Sequence, residues 1–437
     1  MDAFATADLD ATAAAVQAAL DERGVGFGSG AEHSQFLVDP VPRVVETDHW
    51  DLLRRGLAQR GRALAAFVAD VYGERAVCAA GVVPERVIET AKYLERDLLD
   101  CPPTRFGWVV GFDLVGDGEG PLKVLEDNMR TPSGIAYALA ARDAVDEFAP
   151  VEPPPERLDP RHTLPLLADA LRSSAPDGVE DPAVALLSDG PSNSAWYEHR
   201  ALAAALDIPI LRGEDLTTRD GRLYARRDGG NPGAIDVIYR RTDEDRLRDA
   251  EGEPTWLAEK LLEPLLAGTL AVVNAFGAGV ADDKLAHVYV EDMVRFYCGE
   301  EPLIESVRTY DLCDPEVLDR VFPRLDELVV KPRSGHGGEG VVVCPRVDQR
   351  TREDVRRAVA ARPEAYIAQE LVELSTEPTV CDGRLEPRHV DLRPFAIGVG
   401  QAVVTAPVAL TRVALTRGAL IVNSSQNGGG KDTWLLA

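Results

Sequence analysis

Residues 329–343 read VVKPRSGHGGEGVVV. An apolar run ends on Lys331, glycines follow at Gly335, Gly337, Gly338 and Gly340 with Ser334 and His336 among them, and a second apolar run begins. Glycine lets a backbone approach a ligand closely because no Cβ stands in the way, and it takes up positive φ without strain. The N–H groups of such a loop can cradle phosphate oxygens, and Lys331 sets a cation beside them. This is not the Walker pattern, in which Gly-Lys-Ser/Thr opens a helix; strands are expected on both sides here. The stretch marks Lys331, Ser334, Gly335, Gly337 and Gly338 as candidate phosphate contacts, with a ligand-free glycine hairpin as the alternative.

Lysine is scarce outside this stretch. The 437-residue chain has 47 basic residues against 73 acidic ones, a net charge of −26, and its only lysines are Lys92, Lys123, Lys260, Lys284, Lys331 and Lys431. So acidic a chain is a poor partner for nucleic acid or an anionic membrane. No apolar run approaches the roughly 20 residues that span a bilayer. The start, MDAFATADLD, has neither the basic nor the apolar region of a secretory signal, so a cytoplasmic location is expected. The cysteines are scattered without a CxxC pair, which argues against a zinc knuckle or a disulfide framework. The acidity is read as a property of a solvated surface rather than of the chemistry.

The length suggests two or three units or one multi-lobed enzyme, and the texture divides the chain at 1–100, 101–150, 151–280 and 281–437. The first part is expected to be mainly helical. Apolar residues from Trp50 to Val71 recur at helical spacing, and Pro84 opens a second expected helix to about Leu99. Residues 107–128 read as two strands joined by a Gly/Asp turn, and Ser133 is the expected cap of a helix to about Phe148. A proline-rich connector, APVEPPPERLDP, follows. Strands are then expected at Ala183–Leu187, Ile235–Arg240, Leu270–Asn274, Leu328–Lys331, Gly340–Cys344, Tyr366–Gln369 and Ala419–Asn423, alternating with helices. The fold class is α+β or α/β.

Four further segments carry chemistry. One is the C-terminal tail, RHVDLRPF, ALTRVAL and LIVNSSQNGGGKDTW, where Arg388, His389, Asp391, Arg393, Arg412, Asn423, Ser424, Ser425 and Lys431 punctuate β-type segments; it suggests a loop closing over a ligand, with a flexible tail as the alternative. In GFDLVGDGEGPLKVLEDNMRTPSG, Asp113 ends one strand and Glu126 and Asn128 end the next. If the strands pair, these three face one another while Asp127 points away. Two carboxylates and an amide oxygen suit Mg²⁺; a solvated acidic turn is the alternative. In YIAQELVEL, Gln369 and Glu370 close an apolar strand and could border an adenine slot. In GAGVADDKLAHVYVEDM, Lys284 follows two aspartates at a helix start.

Together these segments resemble the circularly permuted ATP-grasp proteins of the type 2 group, over most of the chain from about Phe27 to Trp434. The resemblance rests on VLEDNMRTPSG, IDVIYRRTDED, NAFGAGVADDK, ELVVKPRSGHGGEG, YIAQE, RHVDLRPF and NSSQNGGGKDTW in that order. More distantly, the chain is similar to glutathionylspermidine synthetases. The resemblance implies a circularly permuted ATP-grasp fold, α+β with a mainly helical N-terminal region, in which two lobes hold ATP. It implies the cofactors ATP and Mg²⁺, with the metal on Asp113, Glu126 and Asn128. It further implies phosphates on Lys284 and Lys331 and the adenine side at Gln369 and Glu370.

The expected activity is carboxylate–amine ligation through an acyl phosphate, with small-molecule or peptide acids and amines as substrates. Arginine forks match both a carboxylate and an acyl phosphate, which makes Arg240, Arg241 and Arg412 candidate catalytic residues. A phosphotransferase and a low-turnover nucleotide-binding partner protein are the alternatives.

Overall fold

The computed structural model describes residues 4, 7–28, 34–99, 107–226, 233–335, 339–419, 422 and 428–437. Its centre is a seven-stranded sheet. Six strands run in the order Val38–Val45, Gly428–Leu435, Ala402–Ala414, Arg384–Val399, Trp108–Val115 and Lys123–Asn128, and Thr376–Cys381 pairs with Arg384–Val399. The strand pair Gly428–Leu435 and Val38–Val45 is parallel and the others are antiparallel. The ends of the described chain thus meet in one sheet.

Trp108–Val115 is buried along its whole length, as expected of a strand covered on both faces. The two-residue period decides which core each side chain enters. Trp108, Val110, Phe112 and Leu114 join the cluster that includes Leu57, Leu64 and Phe67 of the helix Thr47–Val71. Val109 joins the opposite cluster, built around the helices Ile135–Phe148 and Thr163–Ser173. Asp113 lies on that second face.

A parallel sheet, in the order Ala271–Val273, Val237–Arg241, Val184–Ser188 and Ile210–Leu211, forms the α/β part. A smaller antiparallel sheet, Thr309–Asp311, Tyr366–Glu370, Leu328–Pro332 and Val342–Val343, has its own core of Tyr310, Leu312, Leu325, Leu328, Val330 and Ala368. It joins the central sheet where Val124 exchanges backbone hydrogen bonds with Glu305 and Val307 at 2.9 and 2.8 Å. Among the described residues no helix is long and apolar enough to cross a membrane.

Several local expectations need correction. The helix expected from Pro84 to Leu99 is only Glu85–Glu89 followed by a single turn at Arg96–Leu98. Arg96 donates to the Glu89 carbonyl at 3.1 Å, and the Glu95 amide turns inward to the Tyr72 hydroxyl at 2.9 Å. These bonds replace the helical ones. Ser133 does not cap the next helix: Gly134, at φ 140°, holds the N-cap position. The buried carboxylate of Glu198 takes the amides of Gly134 and Ala136 at 3.0 and 3.1 Å instead. The strand expected at Gly340–Cys344 shortens to Val342–Val343. The one expected at Ala419–Asn423 falls mostly outside the described residues, and Ala419 and Val422 lie outside any strand.

Candidate functional site

The register of Trp108–Val115 against Lys123–Asn128 sets Asp113 opposite Glu126 and Gly111 opposite Asn128. Asp113, Glu126 and Asn128 therefore share one face and Asp127 turns to the other. Asp113 is held by two arginines. Arg393 reaches Oδ1 from Nε at 2.6 Å and Oδ2 from Nη2 at 2.8 Å, and Arg412 adds Nη2–Oδ2 at 2.7 Å. Burial would raise this carboxyl's pKa, but the two guanidiniums outweigh burial and hold it well below the usual carboxylate range. Arg412 also binds Asp391, from Nε to its two oxygens at 2.9 and 3.0 Å.

A cleft opens between this face and the small antiparallel sheet. Its polar lining includes Asp113, Glu126, Lys284, Lys331, Gly335, Gln369, Glu370, Asp391 and Arg412. Its apolar walls come from Val115, Leu125, Val329, Val341, Val343, Leu371, Val372 and Leu374. A polar end joined to an apolar slot is the form expected of a nucleotide pocket.

Lys331 is buried on Leu328–Pro332. Burial pushes its ammonium down to about 8; Glu126 opposes this and Lys284 adds to it. The loop after Lys331 is clamped twice to the segment that carries Lys284. Lys284 Nζ donates to the Gly335 carbonyl at 2.7 Å. Arg333 Nε donates to both oxygens of Asp283 at 2.8 Å, while Asp283 caps the short helix Lys284–His287. Gly340, at φ +69°, cannot be replaced simply, since a Cβ there would stand 2.7 Å from the Pro332 ring. Ser334 is exposed and does not line the cleft. Gly337 and Gly338 lie outside the described residues.

Gln369 is buried and binds the Leu125 carbonyl at 3.2 Å and Thr309 Oγ1 at 2.9 Å, tying the small sheet to the strand Lys123–Asn128. The Glu370 carboxylate accepts from Tyr310 at 2.5 Å and Arg324 at 3.3 Å. The Glu370 carboxylate is therefore already engaged at that end of the cleft.

The two arginines at the end of Val237–Arg241 do not line the cleft. Arg241 holds the loop before Ile135–Phe148, donating to the Pro132 carbonyl at 2.7 Å, Ser133 Oγ at 2.6 Å and Glu198 at 3.3 Å. Arg240 is buried against the Phe276 ring, 4.8 Å from its centroid, and burial lowers its pKa to about 10. Its Nε and Nη1 have no hydrogen-bond partner. Lys431, one of the scarce lysines, is buried in a structural pair with Asp39 and donates to the Val41 and Pro378 carbonyls at 3.1 and 2.9 Å.

The donor set fits Mg²⁺ in chemistry. The three residues supply hard oxygens, and among the described residues the buried Asn128 Nδ2 has no partner, an open position that a rotated amide would present as oxygen. Among the described residues no group of three or more His, Cys, Asp or Glu side chains is arranged to hold a metal; the set here is two carboxylates and an amide.

Asp391 and Arg393, read in the sequence only among the polar residues of the tail, lie two apart on one strand and reach the site through Arg393 on Asp113 and Arg412 on Asp391. Sequence reasoning missed His287. Its Nδ1 lies 2.7 Å from Asp127 Oδ2, and Arg60 binds that same carboxylate at 2.6 and 2.7 Å. Burial lowers the His287 pKa, with Asp127 opposing.

With this geometry in place, the comparisons with known proteins are specific. The profile of the circularly permuted ATP-grasp type 2 proteins matches residues 42–414. The chain belongs to that family. It is 44% identical over 441 residues to "Putative glutamate–cysteine ligase 2-3" of Frankia alni, covering 98% of this chain and 50% of that protein. It is 42% identical over 433 residues to "Putative glutamate–cysteine ligase 2-2" of Frankia casuarinae, with the same coverages of 98% and 50%. The chain thus spans about half the length of these relatives. In fold it is similar to a glutathione synthetase-like effector of Globodera pallida in its apo form. The TM-score is 0.57 at 10% identity, covering 98% of this chain and 97% of that one.

Proposed function

We propose that the chain is an ATP-dependent carboxylate–amine ligase that binds Mg-ATP in the cleft between the central and the small sheet. The observation that carries this reading is the single lining that gathers Lys284, Lys331, Gly335, Asp113, Glu126 and Arg412 at one end of an apolar slot. The adenine sits between Val115, Leu125, Val329, Val343 and Leu371, with the backbone of residues 370–372 reading the base edge. Lys284 and Lys331 hold phosphate oxygens, and the Gly335 loop is kept in place by its own bond to Lys284.

Mg²⁺ on Glu126, Asn128 and Asp113 supplies neutralisation of phosphate charge. Arg412 is held between Asp113 and Asp391 and faces the cleft. Its guanidinium is fixed before substrate arrives, which favours stabilising charge that develops on a transferring phosphoryl group. In the reaction an oxygen of the substrate carboxylate attacks the γ-phosphorus and the bond to ADP breaks. The amine then attacks the acyl carbon, inorganic phosphate leaves, and the amine nitrogen loses a proton. Catalysis is mainly positioning and charge neutralisation. The relatives' names, glutamate–cysteine ligases, support one amino acid as the acid and another as the amine.

Hydroxylamine trapping tests this. Incubation with Mg-ATP, hydroxylamine and a panel of amino acids is expected to yield one acid's hydroxamate together with equimolar ADP and phosphate. A stable phosphorylated product with no hydroxamate would overturn the ligase reading in favour of phosphoryl transfer.

A further inference from the structure

Beside the nucleotide cleft lies a second, smaller cavity of about 10 Å³, lined by Glu126, Asp282, Lys284, His287, Lys331 and Gln369 among others. That space matches about one water, and a buried water needs two to four polar partners. Leu125, Glu126, Lys284, Lys331 and Gln369 line both the cavity and the cleft, so the lysine assigned to the phosphates borders both spaces.

His287 is buried, and among the described residues its Nε2 has no hydrogen-bond partner. The other nitrogen fixes the tautomer. Nδ1 is 2.7 Å from Asp127 Oδ2, a group that can only accept, whereas the Arg60 Nη2 contact to Nδ1 is longer at 3.2 Å. The hydrogen therefore sits on Nδ1, and Nε2 is a bare acceptor. Arg60 holds Asp127 through both oxygens and reaches Ser306 Oγ at 2.9 Å, so the ring cannot easily turn. A bare acceptor and an ammonium with three donors thus share a polar cavity of one water's size.

We propose that His287 is a positioning residue for Lys331, acting through one buried water that donates to His287 Nε2 and accepts from Lys331 Nζ. The second hydrogen of this water points to Glu126 or the Gln369 amide oxygen. The relay Arg60–Asp127–His287–water–Lys331 ties the helix Thr47–Val71 to the phosphate end of the cleft. It holds the ammonium at the cleft wall against the pull of Glu126. It also gives Asp127, the residue that strand alternation turns away from the metal face, a role in the same site. The inference rests on the nucleotide reading of the cleft.

Two amide substitutions separate the halves of the ring. His287→Asn places an amide near Nδ1, keeps the Asp127 contact and removes Nε2; His287→Gln places it near Nε2. Calorimetric titration with Mg-ATP is expected to show the Asn variant weaker by roughly tenfold or more, the loss of one hydrogen bond to a charged group. The Gln variant is expected to stay within about threefold of wild type, a smaller free-energy difference than that bond. In a Lys331→Met background His287→Asn should cost nothing further. An Asn variant with wild-type affinity, or equal losses in both variants, would overturn the proposal. Melting without nucleotide checks the folds. A high-resolution crystal structure of the wild type gives an answer that depends on no variant: a water within hydrogen-bond distance of both Nε2 and Nζ is expected, and a dry cavity contradicts it. If wild type itself fails to bind Mg-ATP, the nucleotide reading falls; if it binds and the Asn variant is unaffected, only the role of His287 falls.

Discussion

Arg333 binds both oxygens of Asp283 at 2.8 Å, and the next residue after Asp283, Lys284, binds the carbonyl of Gly335, two residues after Arg333. The two segments that carry Lys284 and Lys331 are therefore clasped to each other before any ligand arrives. Preorganisation of this kind lowers the ordering cost of binding. Arg333 also reaches Thr90 Oγ1 at 2.5 Å and the Val87 carbonyl at 2.7 Å, which fastens the clasp to the N-terminal region.

Breaking the clasp is expected to cost stability and affinity together. Arg333→Met leaves the Asp283 carboxylate buried without its cation, a loss of about 3–5 kcal/mol for a buried pair. Urea unfolding should show this, and Mg-ATP affinity should fall in parallel. Unchanged stability would mean that the pair is not formed in solution.

Glu126 and Asp113 should respond differently to neutralisation. Asp113 balances Arg393 and Arg412. Asp113→Asn is thus expected to lower the melting temperature, because two guanidiniums lose a counter-ion. Glu126→Gln is expected to leave melting nearly unchanged and to raise the Mg²⁺ concentration needed for half-maximal ADP formation. The reverse order of effects would move the metal off Glu126.

The pH dependence of Mg-ATP binding follows from Lys331, whose free pKa burial lowers to about 8. Glu126, Asp113, Asp127, Asp282, Lys284 and His287 are the charged or titratable groups in its field or on the shared cavity wall. Phosphate anions favour the charged ammonium, so binding raises that pKa and takes up protons. Affinity should be level below pH 8 and fall as pH rises above it. Calorimetry in two buffers of different ionisation enthalpy should detect proton uptake near pH 8. A level affinity with no uptake would contradict the assignment of Lys331 to phosphate.

Lys431 is the contrasting lysine. Buried with Asp39 and two carbonyls in the central sheet, it is expected to matter for folding alone. Lys431→Met should cost about 3–5 kcal/mol, as for other broken buried pairs, in urea unfolding. The protein that remains folded should bind Mg-ATP as wild type does.

This contrast measures what the sequence could reveal. Scarcity of lysine shows that Lys284, Lys331 and Lys431 were kept, but not whether a phosphate or a buried aspartate keeps them. The shared face of Asp113, Glu126 and Asn128 was legible because a two-residue period needs only local spacing. The Arg393–Asp113 contact joins residues 280 apart in the chain, and no periodicity carries that information. Ser133 had the composition of a cap, yet Glu198, 64 residues beyond Gly134, takes the helix amides. The long strands Arg384–Val399 and Ala402–Ala414 were visible only as β-type fragments, since their buried Asp391, Arg393 and Arg412 interrupt the apolar pattern. Those interruptions are where the site's charges sit.

The central claim is that the cleft lined by Lys331 binds Mg-ATP. Calorimetric titration of wild type and Lys331→Met with Mg-ATP tests it most directly. One saturable site is expected in wild type, with at least tenfold weaker binding in the variant, about 1.4 kcal/mol or more, at an unchanged melting temperature. Equal affinities in two equally stable proteins would contradict it.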